Sequence, residues 1–301
     1  MPIAAAAPPE SVPVFSGFDY VRIDEARHRA YAAHTASKRL LIVDTTSGKV
    51  TGQVDVGPMH GVVVDPATGY VFTGNGTDRS VSKVDPVAMT VLATVDVPGD
   101  VDAIAYDPGL HRIYADQDNG GHVYVIDGTT MKQTATITMP SEDLESPWVD
   151  GNTHAFFQNL ADATAYAIVD PQTLKITKVV KTPQLKNNHP LLYLPVSNVV
   201  LVGGKNAILS AYTPGGEHLG DVAVQPGVDQ CNTGATGAVA ACAGNGIVTV
   251  VKMDGKTPVV VGKIDTGKDI SHVGIDESTG DLWVVWSDAT GDYVQRLHWS
   301  P

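Results

Sequence analysis

Apolar and polar residues alternate along this chain over short stretches such as VTGQVDVG, GYVFTG and VYVID, and Gly, Pro, Asp or Asn then breaks the run. A period of two with frequent turn residues predicts half-buried β-strands rather than helices. A second, longer period lies on top of the first. The pattern apolar-x-apolar-Asp-Pro-x-x-Gly, whole or in part, returns at Asp24 (VRID), Asp65 (VVVDP), Asp107 (AIAYDP), Asp150 (PWVD), Leu194 (LLYLP), Gly234 (CNTG) and Asp276 (VGID). These anchors are 41, 42, 43, 44, 40 and 42 residues apart, so seven units fit one period.

After each anchor come a turn and a second strand (HRAYAAH, GYVFTG, HRIYADQ), then a third strand ending in apolar-Asp at Asp44, Asp85, Asp127 and Asp170, then a fourth. Four short antiparallel strands at this spacing are the mark of a propeller blade. The predicted fold is therefore all-β: a seven-bladed β-propeller with four antiparallel strands per blade. The seventh unit holds only three strands (SHVGID, DLWVVWS, DYVQRLHW), whereas SVPVFSG near the N-terminus looks like a fourth strand. The N-terminal strand is expected to complete the last blade and close the ring, which removes an exposed sheet edge. Residues 1–10 read as a flexible tail and residues 11–301 as one propeller domain.

The repeats DP-x-x-GYVF and HRIYADQ…VYVID resemble those of the YVTN or YncE-like family of seven-bladed propellers, over nearly the whole chain and best in units two and three. Units five and six depart from the pattern by losing the anchor Asp. The resemblance implies the fold. It implies no single activity, because such propellers include binding proteins and enzymes of unrelated chemistry.

Alternate residues of a strand share a face. Counting back from each anchor, the positions three and one before it are nearly all apolar, from Val21 and Ile23 to Val273 and Ile275, and are expected to pack between blades. The position five before reads Asp19, His60, Asp102, Glu145, His189, Asp229 and Ser271, polar in every unit. Packing does not require that. With the first strand of each blade innermost, these residues ring the mouth of the central channel. Two imidazoles and four carboxylates suit a borderline divalent metal (Zn, Fe, Mn, Ni or Cu), with His60 and His189 as nitrogen ligands and one or two of Asp19, Asp102, Glu145 and Asp229 as oxygen ligands. His60 and His189 lie about three blades apart, so the neighbouring Glu145 and His189 form the expected catalytic pair, sharing proton transfer. His272, beside Ser271, joins the metal candidates through a bulge at the strand start. A wet, ligand-free channel lining is the plainer use of the same ring. The loops at 34–38, 75–79, 116–122 and 158–162 are expected on the mouth face, with Asp116 in a solvated turn. Arg22 and Trp148 fall on the other strand face and are expected to pack between blades.

Charge narrows the partners. A formal charge of -13 disfavours a nucleic-acid backbone and suits cationic ligands and metal ions. No apolar run reaches the roughly 18 residues that span a bilayer, so membrane insertion is not expected. The small, Pro-rich residues 1–10 look like a mature N-terminus left by a signal peptide. Cys231 and Cys242 flank a turn where two strands bring them close enough for a disulfide. Together these features point to a periplasmic or secreted protein. The expectation is an exported metal-assisted hydrolase or lyase acting on a small molecule, with a non-catalytic ligand- or protein-binding scaffold of the cell envelope as the alternative. Neither needs an oligomer.

Overall fold

The computed structural model describes residues 4–5, 10–12 and 17–300. Blade 1 consists of Val21–Asp24, Arg29–His34, Arg39–Asp44 and Lys49–Asp55, an antiparallel meander running outward from the first strand. Five further four-stranded sheets follow in chain order, with first strands Val62–Val64, Val101–Asp107, Leu144–Val149, Asn188–Leu194 and Cys231–Asn232. Blade 7 starts with Val273–Asp276 and Asp281–Asp288 and continues to Gly291–His298. Glu10–Val12 pairs antiparallel with that last strand, so the N-terminal segment closes the ring. Of the residues 1–10 read as a tail, Ala4–Ala5 and Glu10 are in strands against Gly291–His298, and the others lie outside the described residues.

The anchor aspartates close the turn between the first and second strands. Asp65 accepts hydrogen bonds from the Ala67 amide (3.0 Å) and the Thr68 hydroxyl (2.7 Å), and Asp107 from the Gly109 amide (2.9 Å). Asp150 and Asp276 accept from the amides of Asn152 and Ser278 in the same way. An Asp side chain that bonds amides two and three residues on makes such a turn without help from tertiary packing. Blade 6 has Gly234 instead, and its turn is held from the next blade. Glu277 accepts the amides of Thr236, Ala238 and Val239, each at 3.1 Å, and Glu25 accepts that of Ala235 at 2.7 Å.

The core is divided like the ring. Seven clusters of buried apolar side chains occur, each shared by two adjacent blades, and the cluster of Val21, Leu41, Trp283 and Val285 joins blade 7 to blade 1. Burial between blades, not within one, stabilises the fold. Cys231 and Cys242 face each other in register on the first two strands of blade 6 and form a disulfide.

Candidate functional site

The innermost strands begin irregularly. Register breaks occur between Val101 and Ile104, between Glu145 and Trp148, and between Asn188 and Leu191. Ser146 sits inside one of them with φ of 37°. Strict two-residue alternation therefore fails at these starts. In blades 1, 6 and 7 the residue four before the anchor (Tyr20, Gln230, His272) directly precedes the first strand and also faces the channel. Asp19, Tyr20, Asp102, Glu145, His189, Asp229, Gln230 and His272 line one cavity of about 230 Å³. His272, rather than Ser271, is blade 7's contribution.

Imidazoles and carboxylates alternate around this mouth. His60 Nδ1 lies 2.6 Å from Asp19 and 3.7 Å from Asp102. His272 Nε2 lies 3.1 Å from Asp19 and 3.6 Å from Asp229. His189 lies 2.5 Å from Asp229 through Nε2 and 3.0 Å from Glu145 through Nδ1. The sequence Asp102, His60, Asp19, His272, Asp229, His189, Glu145 takes one residue from each blade and runs round the ring in blade order. It opens once, between Asp102 and Glu145, where two carboxylates are neighbours.

Each group's acidity follows from its place in the arc. Asp19 is buried, which alone would raise its pKa, but hydrogen bonds from His272 and His60 hold it at about 2. Asp229 is likewise buried, yet His189 keeps it well below the usual carboxylate range. Burial would depress His189, but its two carboxylate partners raise it to about 10. The Asp19 hydrogen bond raises His60. At the opening the direction reverses: burial, then the charges of Asp19 and Glu145, push Asp102 well above the ordinary range, and burial raises Glu145.

His60 and His189 do not meet. Among the described residues, Asp19, His60 and Asp102 form the one group of three such side chains whose donor atoms all lie within 4.8 Å of one another. Bonds of about 2.1 Å at tetrahedral angles place ligand atoms about 3.4 Å apart. The His60 distances of 2.6 and 3.7 Å bracket that spacing, so modest side-chain adjustment admits an ion. His189, with a carboxylate on each nitrogen, has no free lone pair and is a proton donor at neutral pH.

Sequence reasoning missed three contributors. Lys205, just past the second strand of blade 5, places Nζ 2.5 Å from Asp229; it lies outside the four loops expected on the mouth face. Asp116 is fully buried rather than in a solvated turn, because it ends the strand Arg112–Gln117 and accepts from the Ala103 amide (2.7 Å) and Gln158 (3.0 Å). Burial and then Asp102 raise its pKa strongly. Tyr20 crosses the channel to Ser146 at 3.1 Å. Arg22 also needs correction. It and Trp148 come from blades 1 and 4, which are not neighbours, and the guanidinium sits 4.7 Å over the indole ring. Their strand face turns into the channel, so Arg22 meets Trp148 across it instead of packing between blades, whereas Trp148 does pack, as expected, against the apolar clusters that blade 5 shares with blades 4 and 6.

The sequence matches no protein-family profile and no curated protein. Among solved structures, the chain is similar to one in the crystal structure of the mitotic checkpoint complex, with a TM-score of 0.83 at 11% identity over 99% of this chain and 92% of that one. It is also similar to hydrazine synthase of Kuenenia stuttgartiensis, with a TM-score of 0.80 at 14% identity over 95% of this chain and 97% of that one. These likenesses carry the seven-bladed fold alone. Among the described residues, no helix is long and apolar enough to cross a membrane.

Proposed function

We propose that the mouth of this propeller takes up a divalent transition-metal ion on Asp19, His60 and Asp102 and acts on a small carbonyl compound, an ester or lactone, in a hydrolase- or lyase-type reaction. The observation that carries this reading is the convergence of three ligand atoms from three blades within 4.8 Å of one another. Mixed N and O donors suit Zn, Fe, Mn, Ni or Cu. A bound ion there supplies Lewis acidity and lowers the pKa of a coordinated water. The chain's own groups do the rest. Asp229 and Glu145 hold His189 as an imidazolium facing the cavity, ready to donate a proton to a leaving oxygen. Glu145, raised by burial, is placed to receive one. The Cys231–Cys242 disulfide supports a periplasmic or secreted location.

A second reading rests on a different observation. Every imidazole of the arc already has carboxylate partners without a metal. A cup so neutralised can bind a polar ligand, or support a protein partner, without doing chemistry.

The two readings separate in an activity screen of small esters and lactones on metal-loaded protein. The first expects turnover that a chelator abolishes and that Glu145→Gln and His189→Asn each reduce by about 10²- to 10⁴-fold, the range for general acid–base groups. Turnover absent from metal-loaded protein, or unaffected by both substitutions, leaves the binding cup.

A further inference from the structure

A second cavity, of about 390 Å³, opens at the other end of the channel. Its walls are mostly apolar: Val63, Val64, Ala105, Pro108, Tyr106 and Trp148. One cation stands among them. The Arg22 guanidinium carbon lies over the Trp148 ring, 4.7 Å from its centre, and Nε donates to the Val62 carbonyl at 3.1 Å. Among the described residues its two terminal nitrogens have no hydrogen-bond partner, and no carboxylate lies within ion-pairing distance.

The acids on the cavity rim are engaged elsewhere. Asp24 pairs with Arg27 at 3.1 Å, and Glu25 accepts the amides of Ala235 at 2.7 Å and Glu277 at 3.1 Å. Burial lowers the guanidinium's pKa to about 10, so it is charged at neutral pH. In a chain of formal charge -13 with Asp and Glu outnumbering Lys and Arg by 33 to 20, an apolar chamber with one unpaired cation is an unusual arrangement. A partly desolvated charge without a counter-ion is costly unless something answers it.

We propose that this chamber binds a small organic monocarboxylate with an apolar body, the carboxylate lying against the terminal nitrogens of Arg22 and the body against Trp148 and Tyr106. Guanidinium presents two parallel donors that match a carboxylate, and the contact with the indole and the Nε hydrogen bond to Val62 hold it in place. One unpaired cation balances one negative charge. Asp24 and Glu25 at the rim disfavour dianions such as phosphate monoesters. The volume is near the low end of ordinary small-ligand pockets, which suits an aryl or medium-chain alkyl acid.

The test is isothermal titration calorimetry with phenylacetate and octanoate, and with phenylacetamide as the neutral isostere of the first. The expected result is saturable binding of at least one acid, phenylacetamide binding about 10- to 100-fold more weakly than phenylacetate, and a similar loss of acid affinity in Arg22→Met. Thermal unfolding of Arg22→Met should match or exceed wild type, because the substitution removes an unpaired charge. Neither acid binding more tightly than about 10 mM, or phenylacetamide binding as well as phenylacetate, overturns the proposal. So does acid affinity unchanged in Arg22→Met. The acid–amide comparison uses wild-type protein and stands even where the variant does not fold.

Discussion

His189 donates from both ring nitrogens, to Glu145 at 3.0 Å and to Asp229 at 2.5 Å, and its pKa rises from 6.5 to about 10. A raised imidazole pKa adds stability that is complete below the unfolded value and is lost as pH climbs through the folded one. Metal-free protein should therefore lose stability between about pH 6.5 and about pH 10. His189→Gln should flatten that part of the profile in thermal unfolding; an unaltered slope would show that the imidazolium is not what the folded state gains. Asp102 gives the same pH slope from the opposite cause, a charged form that the folded state disfavours. Its raised pKa means that ionisation costs stability above the folded value and nothing below the ordinary 3.8. Asp102→Asn should raise the unfolding midpoint of metal-free protein at neutral pH, with the gain shrinking toward pH 4. Residue types at the mouth were legible because seven aligned positions were all polar. Their pairing was not, since Ser271 and His272 precede the strand Val273–Asp276, where alternation no longer decides which of two consecutive side chains turns inward.

At the scale of the element, the anchor Asp explains why the repeat can be read at all: the residue that shows the period is the one that closes each turn. In blade 6, where it is missing, the turn is held from outside the blade. Gly234 depends on Glu277 and Glu25, which are far away in sequence, so no local pattern announces them. Glu277→Ala should therefore loosen the turn of blade 6 and expose its amides to hydrogen exchange, with the other blades little changed. The same blade has a first strand of only two residues, Cys231–Asn232, and the disulfide ties it to the second. The cysteines are 11 residues apart, a loop whose closure contributes about 3 kcal/mol in the chain-entropy account. Replacing both by Ser, or reducing the protein, should lower the denaturant midpoint accordingly. Arg22 and Trp148 show the limit of reading a strand by itself. Alternation gives two faces but does not say that one of them opens on the channel.

For the whole molecule, seven core clusters between seven pairs of blades mean that no blade is stable alone and that the last interface, between blades 7 and 1, closes the cycle. The fold was legible because a repeat states the same information seven times. Ring closure was legible from the strand missing at the C-terminal end. Removing residues 1–12 takes away the strand Glu10–Val12 and leaves the edge of Gly291–His298 unpaired. The truncated chain should unfold several degrees earlier and aggregate from that edge, measurable by thermal unfolding with light scattering. The two ends of the channel differ in character. The mouth is a polar arc open only between Asp102 and Glu145, and the far chamber is apolar with one cation, so the ring presents two separate chemistries on one axis.

The most direct test of the account is the metal content of untagged protein, measured by elemental mass spectrometry after loading with Zn or Mn and desalting. Wild type should retain close to one ion per chain, His60→Ala and Asp102→Asn should each retain little, and Glu145→Gln should retain it. A wild-type chain that holds no ion after loading, or one that holds it equally well without His60 and Asp102, would contradict a metal site at the channel mouth.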